Sequence, residues 1–348
     1  MRSQLILCVT GLAILVVAAT PAGTAHSSAD KPGQASIPQD PTFMPDAVAL
    51  GDDETVYLLD SDESKIYRWL VSTRSYSETI QLDGAADQMA HSPTTNRLYL
   101  AYAPRTISQV KLDTSLDEIA FTTTPLDIRT LATAGRYPFI SAPDPDGVSW
   151  DHHLTFDPAD GSVISDEYPR YKSSQFAWSD VKRALYFISD YNSPKDLIKE
   201  QVDASGLIKE EDDSPQHSST GMEQPVRVAP DGSTVVLGSG RLHNADTLAH
   251  VGTLSNPIDD ATWSDGTLFT IREQGSGTQV QKWAANYTVN GTYEAPGTPI
   301  RVFPVSEGVL IITHFLDRPW FTILDNDLSV IYEEPFYRIF TPLICRNS

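Results

Sequence analysis

The chain has 348 residues, 40% of them hydrophobic, with 25 Lys+Arg against 46 Asp+Glu and a formal net charge of −21. That apolar share suffices for a large core, which excludes wholesale disorder. The acidic balance excludes a nucleic-acid binder, whose affinity rests on basic groups meeting phosphates, and tight adhesion to an anionic membrane surface.

The first 25 residues hold one charged residue, Arg2, followed by an apolar run from Leu5 to Ala19 and small residues at Ala22, Gly23 and Ala25. This order is that of a secretory signal peptide, and the run is short of the ~20 residues needed to span a bilayer. Cys8 lies inside the apolar run, the wrong place for lipid attachment. Export to the periplasm or extracellular space is expected, with the mature chain starting between Thr20 and Ser27. Only Cys345 then remains, so no internal disulfide can form, and the charge becomes −22. Residues 26–44 are polar and rich in Ser, Ala, Pro and Gly, as in a flexible linker. No further stretch is apolar enough to span a membrane.

From Pro45 onward a four-strand pattern recurs. Its most apolar member reads Val56-Tyr57-Leu58-Leu59, then Leu98-Tyr99-Leu100-Ala101, Tyr137-Pro138-Phe139-Ile140, Leu185-Tyr186-Phe187-Ile188, Val235-Val236-Leu237, Leu268-Phe269-Thr270-Ile271 and Val309-Leu310-Ile311-Ile312. The starts are 42, 39, 48, 50, 33 and 41 residues apart. β-Branched and aromatic residues fill the runs, Gly, Pro, Asn and Asp fill the breaks, and helical periodicity is nearly absent. Four strands per ~40 residues is the period of a β-propeller blade, and a lone blade must stack on neighbours to cover its faces. The expectation is an all-β chain: a signal peptide over 1–25, a linker over 26–44, one propeller of seven four-stranded blades over 45–335, and a tail over 336–348. Six or eight blades are the alternatives.

The first blade, with Val56-Tyr57-Leu58-Leu59-Asp60-Ser61 and Lys65-Ile66-Tyr67-Arg68-Trp69 before Thr73, resembles the YVTN-type and WD-like propellers of secreted bacterial proteins. Ala229-Pro230-Asp231-Gly232-Ser233 is similar to a turn common in such repeats. No Trp-Asp dipeptide sits at a third strand and no Gly-His pair opens a blade. The resemblance implies a fold; such folds host lactonases, quinoproteins, haem enzymes and plain binding scaffolds.

Chemical signatures are sparse. Asp60-Ser61-Asp62-Glu63-Ser64, Asp144-Pro145-Asp146-Gly147 and Asp325-Asn326-Asp327 offer alternating oxygens, but Lys65 stands where a calcium loop needs Gly, so Asx turns are the reading. His152 and His153 are adjacent and point to opposite faces of a strand, so they cannot readily share a metal. No Cys-x-x-Cys-His, metal-binding His motif or nucleophile elbow occurs, so neither metal nor cofactor is expected. Trp69, Trp178, Trp263, Trp283 and Trp320 fall in or beside strands, to pack between blades or, for one, to stack on a sugar.

Charges on the strands nearest the axis remain. Alignment on the apolar strands puts Arg227 and Arg301 in one column, with Arg129, Asp87, Asp259 and Asp260 on other blades. Either Arg227 and Arg301 hold a small anionic ligand bidentately at the channel, or the Arg and Asp residues pair into a structural ring; guanidinium groups already paired with carboxylate would end the first reading. The expected role is a monomeric binding or protein-interaction scaffold, with a protein or a small anion as partner. The alternative is a lactonase-like hydrolase using carboxylates or His that face the channel.

Overall fold

A computed structural model describes residues 41–147, 150–190, 193–217 and 220–335. The signal peptide, most of the linker, the 336–348 tail, Cys8 and Cys345 lie outside the described residues. The described chain forms seven antiparallel sheets, each built from strands consecutive in sequence, and its one helical element is a 3-10 turn at Pro93–Thr95. This is the seven-bladed propeller expected from the repeat. The outer position of blade one is filled in two pieces, Ser75–Tyr76 and Ile80–Gln81, both paired with Lys65–Leu70.

The seven apolar runs are the second strands of their blades: Thr55–Asp60, Arg97–Tyr102, Tyr137–Pro143, Ala184–Ile188, Thr234–Leu237, Thr267–Gln274 and Gly308–Phe315. They are apolar on both faces because each face packs on a neighbouring blade. Val56 and Leu58 meet Leu310 and Ile312 of blade seven, whereas Tyr57 and Leu59 meet Leu98 and Leu100 of blade two. One such cluster fills every interface, seven in all, so the core is a ring of interblade layers.

Blade one closes onto blade seven by side chains. Trp69 stacks on Phe321 at 4.1 Å between ring centroids and 5° between planes. Arg74 reaches Glu307 at 2.8 Å, and the Glu54 carboxylate accepts the Ser306 N–H. The first strands lie innermost: Ala47–Leu50, Gln88–Ser92, Thr130–Ala134, Ala177–Ser179, Val226–Val228, Asp260–Ser264 and Thr298–Val305.

Turns follow local chemistry. Asp265 and Gly266 both adopt positive φ, 48° and 74°, in the two-residue hairpin of blade six. The turns from third to fourth strand use an Asx side chain in five consecutive blades: Asp157, Asp203, Asn244, Asn286 and Asp325 each accept backbone N–H groups just downstream. Asp60 and Asp144 accept the N–H groups of Glu63 and Asp146 in the same manner.

Candidate functional site

The charged residues singled out near the axis each have a hydrogen-bond or ion-pair partner. Asp87 lies just before the inner strand of blade two and accepts the Ala103 N–H at 2.6 Å. Asp46 and Asp259 do the same toward Ser61 and Glu273. Arg129 occupies that repeat position in blade three, where its N–H meets the Ser141 carbonyl, and its guanidinium turns to the buried Asp151 at 2.7 Å.

Arg227 and Arg301 stand on inner strands, but not in one column. Arg227 lies opposite Val236, two residues into its partner strand, and Arg301 opposite Ile312, four residues in. A bulge between Pro299 and Arg301 contributes to the irregular register of blade seven. The two guanidinium groups lie close enough for their charges to interact. Both converge on Asp260 of the blade between them, at 2.7 Å and 3.2 Å. Asp260 is fully buried and also accepts the Val302 N–H at 2.9 Å, so it ties blade six to blade seven. Burial and the neighbouring Arg227 charge lower the Arg301 guanidinium to about 10, with Asp260 opposing. The ion-pair arrangement is therefore the observed one; a pair of unpaired guanidinium groups awaiting an anion is not present.

A second cluster joins blades three and four. His153, on the third strand of blade three (Asp151–Phe156), and Glu200, on the third strand of blade four (Leu197–Val202), are both fully buried, with Nδ1 of the ring 2.8 Å from Glu200 Oε2. Arg170 Nε lies 2.8 Å from Glu200 Oε1. Glu211 sits directly opposite Glu200 in the sheet. Burial first, then the Glu200 charge, push the Glu211 carboxyl up to about 7. As expected of adjacent strand residues, His152 points elsewhere, to Asp166 at 2.7 Å. Chain-wise inspection missed this cluster because its members lie on four strands of two blades.

A cleft of about 460 Å³ lies between blades five and six. Part of its lining is aromatic: Trp263 is the next-to-last residue of the inner strand of blade six, Trp283 ends the third strand, and Tyr287 lies in the turn beyond. Trp283 is 2% exposed and spends its indole N–H on Thr270, at 2.9 Å. Trp263 and Tyr287 are half-buried. The polar wall is the Pro230-Asp231-Gly232-Ser233 turn already conspicuous in the sequence. Asp231 Oδ1 accepts both the N–H and the hydroxyl of Ser233, which keeps the carboxyl below its usual range and ionised. Oδ2 accepts no hydrogen bond among the described residues. Gly266 borders the cleft at positive φ, and a Cβ there would meet nothing within 4 Å, so the rim is open. Of the five tryptophans read from the sequence, Trp69, Trp283 and Trp320 pack in the core, and Trp178 and Trp263 remain partly accessible.

No family model matches the sequence, and no curated protein matches it. Among solved structures the chain is similar to the dihydro-heme d1 dehydrogenase NirN in complex with DHE, with a TM-score of 0.59 and 12% identity. The match covers 86% of this chain and 66% of that one, so the chain spans just under two thirds of the length of its solved relative. At that identity the likeness concerns the propeller fold.

Proposed function

We propose that this protein is an exported binding propeller whose ligand seat is the cleft between blades five and six. The ligand class is a neutral saccharide: a ring with an apolar C–H face for the indole of Trp263 and the phenol of Tyr287, and hydroxyls for Asp231 and Ser233. The observation that carries this reading is the pairing of accessible aromatic faces with an ionised, partly unused carboxylate in a cavity of about 460 Å³, within the range of small-molecule sites. An anionic ligand fits this cleft poorly, because Asp231 would repel it. The axial charges favour a structural role, since Asp260 already draws on both arginines. Export rests on the signal-like N-terminus.

A hydrolytic role would need titratable groups convergent at an accessible cavity. The group moved into the neutral range, Glu211, has its partner Glu200 engaged on both oxygens by His153 and Arg170, which favours binding over catalysis.

Tryptophan fluorescence titrated with a panel of neutral oligosaccharides tests the proposal. A saturable change is expected for at least one, and Trp263→Ala should abolish it while leaving the melting temperature within a few degrees. Undiminished binding by Trp263→Ala, or no binder in the panel, would overturn it.

A further inference from the structure

We infer that His153, Glu200 and Glu211 form a binding site for a first-row divalent cation of the zinc class, locking blade three to blade four. The inference is independent of the saccharide cleft, which lies two interfaces further round the ring.

The ligand set comes first. One imidazole nitrogen and one oxygen from each of the two carboxylates all lie within 4.8 Å of one another. Zinc bonds to nitrogen and oxygen run to about 2.0–2.2 Å, which sets neighbouring ligand atoms about 3.3 Å apart, so a shift of roughly an ångström closes the set. An imidazole with two carboxylates suits a borderline cation better than calcium, which takes six or more oxygens.

The second argument is that the cluster is unfavourable without a cation. Glu200 and Glu211 stand directly opposite each other on neighbouring strands, Glu200 wholly buried. Like charges so placed are destabilising. Glu167 and Arg170 border the same place, 3.4 Å apart.

Third, the ligands are held in place by their surroundings. The imidazole is boxed by the rings of Phe139, Phe176 and Phe187, with centroids 5.1, 5.4 and 5.6 Å away. Arg170 fixes Glu200 from the side of Oε1, leaving Oε2 toward His153. Such outer contacts orient metal ligands and tune affinity. An open hollow of about 550 Å³, bordered by Glu167, Arg170, Lys209 and Glu211, reaches the cluster at Glu211.

A second group, Asp196, Asp213 and His217, is more exposed and serves as the internal control. The experiment is calorimetric titration of chelator-treated protein with zinc chloride, and separately with calcium chloride. One zinc site is expected, with a rise in melting temperature of several degrees when saturated. Glu211→Gln replaces the carboxyl by a neutral isostere, so it should fold normally and weaken zinc at least tenfold. His217→Ala should leave the affinity within about twofold. Unchanged affinity in Glu211→Gln, loss in His217→Ala instead, a response to calcium alone, or no binding by the unmodified protein would each overturn the assignment.

Discussion

Asp260 is fully buried, meets two guanidinium groups and holds one backbone N–H of the next blade. Its removal would leave Arg227 and Arg301 close together with no counter-charge. Asp260→Ala is therefore expected to cost about 3–5 kcal/mol, the usual penalty for breaking a buried pair from one side. Urea denaturation reads this directly; a loss below ~1 kcal/mol would show that the arginines relax into solvent. His243 poses the opposite problem. It is fully buried, and burial, with Arg241 and His250 nearby, lowers its ring below the usual 6.5 while the Leu248 carbonyl partly opposes. The unfolded chain takes up this proton below pH ~6.5 and the folded chain does not, so His243 makes stability fall as pH drops through that value. His243→Gln should flatten the fall in melting temperature between pH 6.5 and pH 5. An unchanged slope would mean that the imidazole titrates normally in the fold. At this scale the sequence reveals identity better than partnership. Arg227, Arg301, Asp260 and Arg129 were legible as axial or near-axial charges because they flank regular apolar runs. Their pairing was legible only as one of two readings, because only the folded ring sets Asp260 between the arginines.

At the scale of strands and turns, the second strands were legible for a simple reason. A strand packed on both faces by other blades has no polar side, so it stands out as a continuous apolar run, whereas the fourth strands, such as Glu118–Thr123 and Ile208–Asp213, are largely exposed and leave weak marks. The His153 cluster was illegible for the complementary reason. Its members are single polar residues spread over strands at 153, 170, 200 and 211, and no local spacing joins them. The aromatic pairing that closes the ring is likewise nonlocal. Trp69 of blade one stacks on Phe321 of blade seven, and both are fully or almost fully buried. No strand exchange joins these blades among the described residues, so this contact carries much of the closure. Trp69→Ala should cost about 3–5 kcal/mol, as large-to-small changes in cores do. Comparable loss is expected from Phe321→Ala, with the double variant less than additive because one interface is opened once. Guanidinium denaturation of the three variants checks this; full additivity would mean that the two rings act independently.

For the whole molecule, seven interblade layers hold a rigid ring, and specificity falls to the turns at its faces. The blade five–six cleft draws on three of them: the Asp231 turn, the Asp265-Gly266 hairpin and the turn ending at Tyr287. None identifies a ligand by itself. Together they set two accessible aromatic faces beside an ionised carboxylate on a fold that needs no motion to present them. Hydrogen–deuterium exchange with and without a saturating neutral oligosaccharide tests this account most directly. Binding at the cleft predicts protection confined to residues 229–234, 263–268 and 283–287. Protection centred on the inner strands around Arg227 and Arg301, with none in those three segments, would contradict it.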